Sequence, residues 1–315
     1  MIKFGKWLGY SVIALVAILG ILAWIGGAIN WNQEPPYDLV QTWGEKGSAM
    51  GQFNDPTGIA VTADEVFVSD ARNNRIQVFD KQGNFKRAFG QDRLGRPMNL
   101  AIAKGKLYVP DYFKDVIHVF ALAGGYQQAI TAEDGFDSPG GVAVHSDGTL
   151  LVADTYAQRV VHIKPDGTVL KTWGSAGIGH GEFSYPTDVA IRADGGFYVA
   201  DGYNDRIQQF GPDGQFLRKW GGPFGLNIFG PFKGWFTTVT SLAIRPEGSV
   251  FAADFYNDRI QKFSADGTFL TVFAPPRQAG PGHSEIGLAV DGDGMVYSVN
   301  FRANRIERWR PVQRP

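Results

Sequence analysis

One twelve-residue pattern recurs six times along this chain: VSDARNNRIQVF (68–79), VPDYFKDVIHVF (109–120), VADTYAQRVVHI (152–163), VADGYNDRIQQF (199–210), AADFYNDRIQKF (252–263) and SVNFRANRIERW (298–309). Its third positions, Asp70, Asp111, Asp154, Asp201, Asp254 and Asn300, are separated by 41, 43, 47, 53 and 46 residues. A period of that length holds four short strands, and so small a unit buries its apolar faces only by packing on copies of itself. Each copy is preceded by an alternating apolar segment (GIAVT, NLAIA, GVAVH, DVAIR, SLAIR, GLAVD) and a turn such as HSDG, RADG or DGDG, which places strands a and b of a blade.

Every copy except the last is followed by another turn and a fourth strand: NFKRAFG, GYQQAIT, TVLKTWG, QFLRKWG and TFLTVFA. The sixth copy ends at strand c, with only PVQRP beyond Arg310. The matching strand stands at the other end, where YDLVQTWG (37–44) repeats the form of TVLKTWG. Pairing the two ends removes an exposed sheet edge, which would otherwise invite aggregation. The expected fold is all-β: a six-bladed β-propeller over residues 37–310, its last blade closed by the N-terminal strand, with 31–36 as linker and 311–315 as tail.

Ahead of the linker, 23 uncharged residues run from Trp7 to Ile29, preceded by Lys3 and Lys6, and the next charge is Glu34. As a helix this run would be about 34 Å long, enough for a hydrocarbon core of about 30 Å. It has no polar face. Residues 1–30 are therefore expected to be one transmembrane helix, an uncleaved signal anchor rather than a signal peptide cut near Gly26 and Ala28. The two lysines put the N-terminus in the cytoplasm and the propeller on the extracytoplasmic (periplasmic) side.

Composition narrows the chemistry. With 30 Lys and Arg against 31 Asp and Glu, the net charge of −1 argues against a nucleic-acid partner. The absence of cysteine excludes disulfides, thiolate metal sites, a RING domain and a catalytic thiol. No Walker motif, nucleophile elbow or HExxH occurs.

The DxxNxRIQxF strand-turn pattern resembles the NHL repeat family over about 270 residues, with departures at Val116, where blade 2 lacks the Arg, and at Asn300. That resemblance implies protein- or RNA-binding modules, extracellular sensor domains or, in a few relatives, enzymes, so the fold leaves the function open. The chain is also similar to the peptidyl-hydroxyglycine lyases, in which VADGYNDRI would carry a catalytic tyrosine at Tyr203. The positions matching their zinc histidines are Gly140, Thr240 and Ile286, and the one matching an active-site arginine is Phe255. None of these supplies the ligand. The metal-binding set of gluconolactonase-like propellers has no counterpart, the five histidines (118, 145, 162, 180 and 283) show no ligand spacing, and DGDG (291–294) sits at a turn without the later acidic ligand of a calcium loop. No metal or cofactor is expected.

Four blades carry both members of a charge pair: Asp70 with Arg75, Asp154 with Arg159, Asp201 with Arg206, and Asp254 with Arg259. A catalytic site occurs once, so pairs repeated in equivalent places are expected to brace the blades. The a–b and c–d turns are short and share one face, whereas the b–c and inter-blade loops on the other face are long, the usual ground for binding. Two residues past the repeat Asp, the b–c loops place Arg72, Phe113, Tyr156, Tyr203, Tyr256 and Arg302 as an expected ring around the central opening, suited to an anionic or planar group. The longest loop (221–238), rich in Gly, Pro and aromatics, offers Phe224, Phe229, Phe232, Trp235 and Phe236 to a protein partner or to the membrane. The reading is a membrane-tethered extracytoplasmic scaffold or sensor that binds a protein or a small anionic ligand. The alternative is a lyase or hydrolase, metal-independent or weakly metal-dependent, that uses the Tyr/Arg ring on a small anionic substrate.

Overall fold

The computed structural model describes residues 15–18, 20, 21, 32–273 and 285–312. Six four-stranded antiparallel sheets occupy residues 56–89, 101–130, 139–173, 186–220, 239–273 and, for the last, 285–311 together with 37–43. Strand a of each blade packs on strand a of its neighbours, and that of blade 6 packs on that of blade 1, so the ring is closed. The closing strand Tyr37–Trp43 pairs antiparallel with Arg305–Pro311, as its sequence form anticipates.

The core consists of six apolar clusters, each shared by two neighbouring blades. Between blades 5 and 6, for example, Tyr37 stacks on Phe273 with ring centres 4.6 Å apart and meets the edge of Phe251, beside Trp309. The closing strand is thus held by packing as well as by its ladder.

A second device ties blade to blade. Every b–c turn ends in a left-handed residue, Asn74, Asp115, Gln158, Asp205, Asp258 or Asn304, with φ between 52° and 56°. Asn and Asp tolerate that conformation because their short polar side chains bond locally. Here the side chain also reaches onward. Asp115, Gln158, Asp205 and Asn304 accept the N–H of Ser138, Tyr185, Thr238 and Asp55, each in the following blade, at 2.6–2.9 Å. The Asn304 latch joins blade 6 to blade 1 and seals the ring at the loop face.

The run from Trp7 to Ile29 lies mostly outside the described residues, and among those described no helix is long and apolar enough to cross a membrane. The linker is fixed where it meets the propeller: the N–H groups of Gln33 and Glu34 donate to Leu270 O, and Glu34 accepts from Lys262.

Candidate binding face

Each of the four Asp–Arg pairs closes at 2.7 Å between the Arg Nε and an Asp oxygen. The other Asp oxygen accepts a loop N–H from Asn54, Asp137, Ser184 or Thr237. The arginine forks end on loop carbonyls; that of Arg206 reaches Ile178, Gly179 and Glu182, and that of Arg259 reaches Pro231, Phe232 and Trp235. Burial pushes Asp254 up to about 6 and raises Asp201 and Asp154, although the arginines and the N–H donors pull the other way. These pairs bolt the inter-blade loops to the b–c turns.

The two irregular blades solve the same problem differently. In blade 2, Asp111 accepts from the N–H groups of Gly95 and Arg96 and lies 3.5 Å from His118, which occupies the Gln position of the repeat. In blade 6 the carboxylate has moved: Glu307, at the Gln position, takes Arg305 at 2.7 Å and the Asn300 amide at 2.9 Å. A second carboxyl, Glu285, stands where most blades start strand a with proline, and it is fully buried beside Glu307 and Ser298. Burial first and the charge of Glu307 second push Glu285 well above the usual carboxylate range.

The six b–c residues lie on the long-loop face, and their aromatics belong to a longer series. Phe113 meets Tyr112 at 5.6 Å, Tyr112 meets Tyr156 at 5.8 Å, Tyr156 meets Tyr185 at 5.2 Å, and Tyr185 meets Tyr203 at 4.9 Å. This arc crosses blades 2 to 4, and on blades 5 and 6 Tyr256, Phe255 and Phe301 continue the aromatic surface. Phe113 is 64% and Tyr203 59% exposed. Burial and then the neighbouring phenols of Tyr256, Tyr156 and Tyr185 raise the Tyr203 hydroxyl, so it stays neutral at physiological pH. The arginines differ from expectation in one respect: Arg72 pairs with Asp55, so its charge is partly answered within its own blade. Arg302 is exposed.

The insertion divides in two. Leu226, Ile228, Phe229 and Phe232 are exposed, and Trp235 is half-buried with its ring 4.9 Å from Phe232. Phe236 is fully buried against Phe263 and cannot meet a partner, which corrects the expectation for that residue; it anchors the loop instead. The side chain of Phe224 lies outside the described residues.

One column of strand a holds Gly58, Asn99, Gly141, Asp188, Ser241 and Gly287, and of these Asn99, Asp188 and Ser241 line a cavity of about 240 Å³ together with Val142, Val189 and Leu242. Asp188 accepts from Ser241 Oγ at 3.0 Å and from the N–H groups of Leu242 and Val189, while Asn99 donates to Thr240 O across the ring. A Cβ on Gly141 would lie 2.3 Å from Asp188 Oδ1 and 2.7 Å from its Cα, so glycine there lets the two strands a approach closely. Asp188, Asn99 and Tyr185 were not singled out from sequence. Aligning the strand-a column, where Asn and Asp interrupt a run of glycines, carries the signal for the first two.

Among the described residues no three His, Cys, Asp or Glu side chains gather to hold a metal. His145 and His162 lie with ring centres 5.0 Å apart, His180 stacks on Phe216, and His283 falls outside the described residues.

The family model for the NHL repeat matches residues 53–79, 136–163 and 183–210, in blades 1, 3 and 4. The protein brain tumor of Drosophila melanogaster is 32% identical over 142 residues, 42% of this chain and 14% of that protein. Peptidyl-glycine alpha-amidating monooxygenase B of Xenopus laevis is 34% identical over 159 residues, 44% of this chain and 18% of that protein. The chain thus spans less than a fifth of either relative. Among solved structures, virginiamycin B lyase from Staphylococcus aureus superposes with a TM-score of 0.58 at 14% identity, covering 88% of this chain and 100% of that one, a likeness of fold alone. This chain is a six-bladed β-propeller in which blades 1, 3 and 4 match the NHL repeat.

Proposed function

We propose that the protein is a membrane-tethered, extracytoplasmic binding scaffold or sensor that takes a protein or a small ligand on its long-loop face. The observation that carries this reading is the arc from Phe113 through Tyr112, Tyr156 and Tyr185 to Tyr203, whose exposed members Phe113, Tyr156 and Tyr203 present aromatic area on a braced scaffold. Aromatic side chains give large contact area at low cost in side-chain entropy. Tethering is supported by the uncharged run from Trp7 to Ile29, and an exported propeller by Lys3 and Lys6 on its near side.

The enzymatic alternative has less support. The likeness to an amidating enzyme covers 44% of the chain, but the zinc positions hold Gly140, Thr240 and Ile286, and Arg72 is already engaged by Asp55.

The test compares co-purification from native membranes by the wild type and by a Tyr156→Ala/Tyr203→Ala variant. Both side chains are exposed, so the variant keeps its thermal stability. A partner or ligand held by the wild type and lost by the variant supports the reading; equal retention refutes this face as the site. An Arg72→Ala/Arg302→Ala variant separates the ligand classes, because only an anionic ligand is weakened by it.

A further inference from the structure

The closing strand gives the propeller a defined side of attachment. Tyr37 lies opposite Pro311, at the far end of strand c, whereas Trp43 lies opposite Ile306, one residue past its start. That strand begins just after the b–c turn, so Tyr37–Trp43 runs from the short-turn side toward the long-loop side. The preceding residues are held on the same side. Gln33 and Glu34 donate to Leu270 O at 2.7 and 3.1 Å, and the Glu34 carboxylate takes a 2.6 Å bond from Lys262. Lys262 and Leu270 flank the c–d turn of blade 5, in strands Arg259–Phe263 and Phe269–Phe273.

We propose that this attachment orients the propeller on its own bilayer: the short-turn rim of blades 5 and 6 rests against the lipid surface, and the long-loop face points into the aqueous compartment. The inference rests on reading Trp7–Ile29 as a membrane anchor. From Ile29 to Gln33 there are four residue steps, which reach at most about 14 Å fully extended. A six-residue strand such as Glu285–Val290 spans about 20 Å, before any loop is added. The tether is therefore too short to let the propeller turn its loop face to the membrane while Gln33 and Glu34 stay bonded. Phe229 and Phe232 accordingly face a partner in the aqueous phase and do not dip into the anchoring bilayer.

The chain has no cysteine, so single thiols can be placed without background. Full-length protein carrying Ala265→Cys or Ala123→Cys on the short-turn side, or Ile178→Cys or Ile228→Cys on the loop side, all exposed positions, is reconstituted into phosphatidylcholine/phosphatidylglycerol vesicles and labelled with a fluorescent donor. Energy transfer to an acceptor dye on lipid headgroups is then measured, with flotation of the vesicles run in parallel. Transfer is expected to be strongest at position 265, weaker at 123 and severalfold lower at 178 and 228. Protein that floats but transfers as strongly from 228 as from 265 overturns the orientation while leaving the anchor intact. Protein that fails to float overturns the anchor, and the orientation with it. Loss of the linker clamp in Glu34→Ala/Lys262→Ala should narrow the difference between the two sides; an unchanged difference would show that the clamp does not set the orientation.

Discussion

Replacing Asp188 with asparagine should flatten the dependence of stability on pH. The carboxyl faces the axis among strands a of the ring and is fully buried; burial pushes it up to about 7 even though Leu242, Ser241 and Val189 all donate to it. An unfolded aspartate titrates near 3.9, so the folded state binds the extra proton between about pH 4 and 7. Stability must then fall as pH rises through that window and level off above it. A rise of about three pH units corresponds to about 4 kcal/mol. Asparagine fills the same space and does not titrate, so the difference in unfolding free energy between wild type and Asp188→Asn should swing by about 4 kcal/mol toward the variant from pH 4 to pH 7.5. Asp254, raised to about 6, keeps its own smaller slope in both proteins and cancels in the comparison. Guanidinium unfolding at fixed ionic strength, at half-unit steps of pH, measures this directly. A difference constant to within about 1 kcal/mol across the range would show that Asp188 titrates in the fold as it does in the unfolded chain, and that the axis is wetter than its burial implies.

Arg206→Ala should cost about 3–5 kcal/mol, because it leaves Asp201 buried and unpaired and frees the carbonyls of Ile178, Gly179 and Glu182; a drop in the guanidinium midpoint of the size of an exposed-pair deletion would refute the bracing role. Glu285→Gln should stabilise the protein at pH 8 and change it little at pH 4, since the folded carboxyl is raised and wild type loses stability as pH climbs past the unfolded value; thermal melts at the two pH values check this, and a loss at pH 8 would mean the acid is needed as a charge. Phe236→Ala should cost about 3–5 kcal/mol, whereas Phe229→Ala stays within about 0.5 kcal/mol; equal effects on the unfolding free energy would contradict the division of the insertion into an anchor and an exposed part.

The repeat made the ring, the closing strand and the Asp–Arg bolts legible because each is enforced six or four times, and a physical requirement met in every blade leaves a column in the sequence. What the columns hide is context. Phe236 resembles Phe229 and Phe232 in composition, yet its burial depends on how the loop folds over Phe263, which no local pattern encodes. Tyr185 stands in a column of turn residues ahead of a strand-a proline and becomes part of the arc only because the preceding blade brings Tyr156 to 5.2 Å.

The departures from the repeat are the most informative positions, and they can be sorted by whether the loss is answered nearby. Asn300 gives up the Asp charge, but Glu307 restores a carboxylate oxygen to the same arginine and amide, so this pair of changes is a scaffold solution reached from the other strand. In blade 2, Val116 gives up the arginine, and Asp111 is instead answered by two loop N–H groups and the approach of His118. Asp188 is an acid gained rather than lost, and it too is answered, by the next blade. Its column holds Gly58, Gly141 and Gly287, and a glycine there would leave no buried acid for Ser241 and Leu242 to satisfy. That carboxyl ties blade 4 to blade 5, and Gly141 packs so closely on Asp188 that a Cβ would meet its Oδ1 at 2.3 Å and its Cα at 2.7 Å. One of six equivalent positions thus carries a buried carboxyl that answers Ser241 Oγ and the Leu242 N–H of the next blade, a join between neighbouring strands a that the other blades make without an acid.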